Sequence, residues 1–106
     1  MLINKRHMYV KFSTSKRADK KYTAQFFDDD GDIVKTTHFG QKGASDMTKH
    51  QDTERKTRYL NRHKKNENWN DFKSAGSLSR YVLWNKPTLK SSIDDYVKVF
   101  NLKLKK

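Results

Sequence analysis

The sequence predicts an α+β fold: a small three-stranded antiparallel sheet in the N-terminal half, packed against three helices in the C-terminal half. Three observations carry this. Before residue 40, apolar and polar side chains alternate in three short runs, which is the period of a half-buried strand. Two of these runs flank Asp28-Asp29-Asp30-Gly31-Asp32, where glycine supplies the positive φ of a hairpin turn. After residue 50, apolar residues recur at i, i+3 and i+4, with capping residues ahead of them. Strands followed by helices give helices on one face of an antiparallel sheet, and three strands so covered are enough for independent stability.

The first strand is predicted over His7–Ser13, with Met8, Val10 and Phe12 toward the core; Met1–Lys5 is a loose end before it. The second covers Lys21–Phe27, with Tyr22, Ala24 and Phe26 on one side, and the third covers Ile33–Phe39. The aspartates between them invite a calcium reading. Counted from Asp28, the twelfth position is Phe39 and not the bidentate Glu of an EF-hand, so that loop type is excluded. The turn is read as solvated, and its charge keeps that tip away from a polyanion. Gly40-Gln41-Lys42-Gly43 follows. Glycines let backbone N–H groups approach an anion, but the Walker A pattern is absent. A plain turn is the favoured reading, with Lys42 as a phosphate contact. Ser45 or Asp46 caps a short turn through His50.

Gln51–Asn68 (QDTERKTRYLNRHKKNEN) is read as the basic helix around which the chain is organised. Asp52 is its N-cap, Glu54 sits in its first turn, and cations gather toward the C-terminus, where the helix dipole favours them. Tyr59, Leu60 and His63 make a narrow apolar stripe. Arg55, Arg58, Arg62 and Lys65 share another face, with Lys56 and Lys64 beside them. Most charge runs are solvated faces, so the phosphate-facing reading leans on the rest of the composition. Trp69 and Phe72 are read as pinning the following loop to the core; the weaker alternative has Trp69 stacking on a base. A helix over Ser74–Asn85 places Leu78, Tyr81 and Val82 on one face, carries Arg80, and stops before Pro87. A last helix over Ser91–Leu102 buries Ile93, Tyr96, Val97 and Phe100, and Ser92 with Asp95 resembles a capping box. Lys103, Lys105 and Lys106 form a cationic loose end.

The 106 residues make a single domain. Only 33% are hydrophobic, but 12% are aromatic, and large rings let a small core bury enough area to fold. With 24 Lys and Arg against 12 Asp and Glu, the net charge is +12, well beyond what solubility needs. That field selects polyanions, nucleic acid before anionic membrane. Cysteine is absent, which removes disulfides, thiolate nucleophiles and Cys-based zinc sites. No signal-peptide pattern and no apolar run near membrane-spanning length is present, so secretion and membrane insertion are not expected. The four histidines, His7, His38, His50 and His63, do not pair at metal-ligand spacing. His50 and His63 bracket the basic helix, but the nearby Asp46, Asp52, Glu54 and Glu67 fit no metal motif. The chain reads as a binder, with no enzymatic activity, cofactor or metal expected.

HFGQKGASD, ERKTRYLNRHKKNENWND and AGSLSRYVLWNKPTLKSSIDDY resemble a family of small basic proteins of unknown function encoded by large, nucleocytoplasmic double-stranded DNA viruses. The resemblance covers roughly residues 20 to 101 and leaves out the segment to Asp19. It implies a protein of the virion, virus factory or host nucleus, and it carries no binding residues with it. A compact viral genome needs small cationic proteins to condense or package it. The expected partner is therefore double-stranded DNA, bound without strong sequence preference through phosphates. The expected contacts are Lys42, Arg55, Lys56, Arg58, Arg62, Lys64, Lys65 and Arg80. RNA is a second polyanion that the charge admits, although no RRM signature is present. A small metal-dependent nuclease and an interaction module for an acidic protein are the rival readings. Open sheet edges also allow a homodimer by strand pairing.

Overall fold

The computed structural model describes residues 7–105; the expected loose end Met1–Lys5 and the final Lys106 lie outside the described residues. Three strands, β1 (Tyr9–Thr14), β2 (Lys20–Phe27) and β3 (Ile33–Gln41), form the expected antiparallel meander. Val10 pairs with Phe26, and Ala24 with Thr37. The two-residue alternation places Val10, Ala24, Phe26 and Phe39 in the core. At the hairpin tip, Asp28 Oδ1 accepts the N–H groups of Asp30 and Asp32, and Gly31 has φ +90°. Asp28 thus builds the turn with its own side chain.

The sheet has a fourth strand that the sequence reading missed. Lys103–Leu104, expected in a loose cationic tail, forms β4 parallel to β1, giving the order β3-β2-β1-β4. Lys103 N–H donates to Met8 O at 3.0 Å and Lys105 N–H to Val10 O at 2.8 Å. The buried Leu102 anchors this end against the core. The fold is therefore α+β with a mixed sheet. β4 covers the edge of β1, and β3 is left as the long open edge.

Among the described residues there are four α-helices, one more than expected: α1 (Met47–His50), α2 (Thr53–His63), α3 (Ala75–Leu78) and α4 (Leu89–Val99). Asp46 caps α1, accepting the N–H of Thr48. α3 runs directly into a π-helical turn, Ser79–Leu83, closed by Trp84 N–H to Ser79 O at 3.0 Å. An i to i+5 bond sets residues five apart on one face. Leu83 therefore joins Leu78 and Val82 in the core, and Trp84 lies on the side of Ser79.

α4 starts earlier than the sequence reading placed it. Thr88 is its cap, with Oγ1 accepting the Ser91 N–H at 3.1 Å. Ser92, read as a capping-box residue, is fully buried; its Oγ accepts the Lys86 N–H at 2.9 Å and ties down the chain around Pro87. The expected stripe of α4 does face the sheet. Tyr96 is fully buried and donates its hydroxyl to Phe72 O at 2.5 Å. Burial, with Asp71 adding to it, pushes that hydroxyl's pKa up. Phe72 packs 5.8 Å from Phe26 and 5.7 Å from Phe100, pinning its loop as expected. Among the described residues, no helix is long and apolar enough to cross a membrane.

Candidate nucleic-acid interface

α2 is shorter than the expected Gln51–Asn68 but starts on the expected signal. Asp52 Oδ1 accepts the N–H groups of Glu54 and Arg55, and Glu54 lies in the first turn. At 100° per residue, Arg55, Arg58 and Arg62 fall within a sector of about 60°. All three are exposed, as are Lys64 and Lys65 just beyond the helix. Among the described residues, none of these five cations takes part in an ion pair. Even Glu54 and Arg58, at i, i+4, do not pair.

The adjacent side of α2 is tied to the body. Tyr59 stacks on Trp84 with centroids 4.4 Å apart and planes 5° from parallel, and on His63 at 4.3 Å. His50 also packs against Trp84, tilted, with centroids 5.3 Å apart. Burial, reinforced by Glu67, pushes the Tyr59 hydroxyl up to about 12. Of the expected contacts, Lys56 points into this side: its Nζ donates to Asn85 O at 2.9 Å. Burial lowers its pKa, and the neighbouring charges of Lys86 and Arg80 lower it further. Lys56 is a tether between α2 and the chain before Pro87. Arg80 is also engaged, with its guanidinium 4.5 Å from the Trp69 ring centroid and 4.4 Å from that of Tyr81. Trp69 is thus the platform for an internal cation. The side chain of Lys42 is exposed, but its N–H donates to Asp19 O at 3.0 Å. Ala44 N–H donates to Gln41 O at 3.1 Å, so this Gly-rich loop is a turn in which the Lys42 and Ala44 amides are both held within the protein.

Between α2, the π turn and the ends of β2 and β3 lies a cleft of about 400 Å³. Arg55 and Arg62 stand along it, Tyr59, His63 and Trp84 form one wall, and Lys21 and Asp46 close the bottom. Lys21 and Asp46 make a buried ion pair, and the Asp46 carboxylate also accepts from the N–H and hydroxyl of Thr48. Gly40, with φ +79°, lets the end of β3 approach the π turn; a Cβ there would lie 2.8 Å from Leu83 Cδ1. Sequence reasoning missed Lys21, Asp46, Ser79 and Trp84 as cleft residues, because they come from three separate segments: β2, the cap of α1 and the π turn. The one local signal was an unassigned Trp84 just before Pro87. Among the described residues, no three His, Asp or Glu side chains group as a metal site would.

The profile of a family of unknown function (DUF5754) matches residues 10–63, about half of the chain. The chain belongs to this family. No curated protein and no solved structure matches it. The DUF5754 match covers β1 through α2, so it includes residues 10–19, part of the segment that the sequence resemblance left out. The stack partner Trp84 and the π turn lie beyond it.

Proposed function

We propose that this chain is a non-enzymatic DNA-binding protein that grips duplex phosphates through α2, largely independently of sequence. Genome condensation or packaging in a large DNA virus is the setting its sequence resemblance implies. The supporting observation is the row of Arg55, Arg58 and Arg62, continued by Lys64 and Lys65, all solvent-facing and none ion-paired among the described residues. Lys42 is the sixth exposed candidate. Lys56 and Arg80 leave the contact set because the body of the protein already holds them.

Six phosphate contacts give log K a slope of roughly −5 against log salt, at about −0.9 per contact. The test is a duplex titration over a salt series, with single strand and RNA of equal length beside it. Replacing Arg58, Arg62 and Lys65 together by Ala removes three contacts. That brings the slope to roughly −3 and lowers affinity on the order of a hundredfold near 0.15 M salt. Unchanged affinity in the folded triple variant would refute this placement of the interface. No duplex binding near 0.15 M salt by the wild-type chain, with retention on an acidic protein surface, would instead favour the interaction module.

A further inference from the structure

We propose that the cleft beside α2 is a second site, sharing Arg55 and Arg62 with the duplex row, for one nucleoside monophosphate unit, with its base against the aromatic side chains and its phosphate between Arg55 and Arg62. This rests on the nucleic-acid reading only for the source of that unit, a strand end or a free nucleotide. Size is the first argument. Ligand pockets run from about 300 to 1,000 Å³, and the cleft's 400 Å³ holds a single nucleotide but no duplex.

The second argument is the combination of groups. Arg55 and Arg62 are two helical turns apart, about 10 Å along α2, and both border the cleft as well as the outer face. A guanidinium fork suits a phosphate monoester. The row His63–Tyr59–Trp84 ends at the cleft in His63, whose side chain is 41% exposed. A planar base continues such a row, and base–aromatic stacking does not depend on base identity. Gln41 and Ser79 add an amide and a hydroxyl to the wall, partners for a base edge or a ribose.

The third argument concerns the acid at the bottom. Asp46 would repel a phosphate if free. It is 2% exposed, and its charge is matched by Lys21, so the cleft presents cations to an incoming anion.

Amide and indole N–H shifts of the full chain test this in titrations with AMP, ribose 5-phosphate and inorganic phosphate. AMP is expected to bind at least tenfold tighter than either other probe and to move Gln41, Ser79, His63 and the Trp84 indole. Arg55→Ala and Arg62→Ala, both at exposed positions, are each expected to weaken AMP about tenfold. AMP no tighter than inorganic phosphate, or shifts confined to the outer face around Arg58 and Lys65, would overturn the site. Competition then identifies the source. A 5′-phosphorylated single strand that displaces AMP at lower concentration marks a strand end as the ligand, and failure to displace it marks the free nucleotide. A chain that binds duplex with the expected salt slope but shows no AMP shifts loses the cleft alone. One that binds AMP but no duplex loses the duplex interface alone.

Discussion

Tyr59 holds together much of what surrounds the candidate interface. It is covered by Trp84 on one face and His63 on the other, and burial first, then Glu67, raises its hydroxyl pKa from 10.0 to about 12. In the unfolded chain this phenol ionises near pH 10, while in the folded chain it stays protonated. The stability it contributes is therefore complete below pH 10 and is lost as pH rises from 10 to about 12. Two units correspond to about 2–3 kcal/mol. Lys56, whose pKa is lowered, works in the opposite direction as pH climbs toward 10.5, so wild type alone does not isolate the tyrosine. Tyr59→Phe does. The variant should match wild type within about 0.5 kcal/mol at neutral pH and exceed it by about 2–3 kcal/mol above pH 12, measured by urea unfolding across that range. Parallel curves for the two proteins would show that the hydroxyl is not buried as described. Several single-residue roles were legible in the sequence for the same kind of reason: Asp52 as a cap and His63 beside Tyr59 follow from spacing along one helix. The roles of Lys56 and Arg80 were not. A cation on a helix looks the same in sequence whether it meets water, a carbonyl such as Asn85 O, or a ring such as Trp69.

α2 has eleven residues, shorter than the roughly 12–15 at which an isolated helix becomes even marginally stable. It depends on what it docks against, and two contacts dominate: the Tyr59–Trp84 stack and the Lys56 bond to Asn85 O. Both partners sit at the end of the π turn. Trp84→Ala should therefore release α2 specifically. Amide exchange across Thr53–His63 is expected to accelerate while β1, β2 and β3 stay protected, with a global cost of about 2–4 kcal/mol for a half-buried Trp that also loses a stacking partner. Equal loss of protection in sheet and helix would mean that α2 is integral to the core and not tethered by this contact. The elements themselves were unevenly legible. The meander was plain because alternation and a DDDGD turn are local signals. The π turn was hidden, since an α-helical period accounts for Leu78 and Val82, and only Leu83 in the core betrays the longer i to i+5 step. β4 was read as a tail because its lysines dominated, although Leu102-Lys103-Leu104-Lys105 alternates like a strand. Its partner β1 lies almost a full chain length away, which no local pattern reports. α4 is capped by Thr88 and not by the Ser91-Ser92 pair, because the buried Ser92 hydroxyl is already committed to the Lys86 backbone.

Across the whole molecule, the strands hold the acidic turn at one end and lead to the cationic helix α2 at the other. Asp28, Asp29, Asp30 and Asp32 occupy the β2–β3 tip, whereas Lys21, Gly40 and Gln41 at the other end border the cleft beside α2. Ile33 to Gln41 spans about 25 Å at about 3.3 Å per residue. The Debye length near 0.15 M salt is about 8 Å, so the acidic tip is about three screening lengths from the cationic row. This separation predicts an asymmetry between two variants that each remove three charges. Asp29→Asn, Asp30→Asn and Asp32→Asn together keep Asp28, whose Oδ1 builds the turn, and should leave the fold intact. Duplex affinity near 0.15 M salt should then change by less than about twofold, despite a net charge raised from +12 by three. The triple change at Arg58, Arg62 and Lys65 should cost on the order of a hundredfold under the same conditions. At about 0.01 M salt the Debye length grows to about 30 Å, and the tip variant should gain affinity measurably because its lost repulsion is no longer screened. If the tip variant instead gains near 0.15 M salt as much as the α2 variant loses, binding follows total charge, and a duplex is not held against one pole of the molecule.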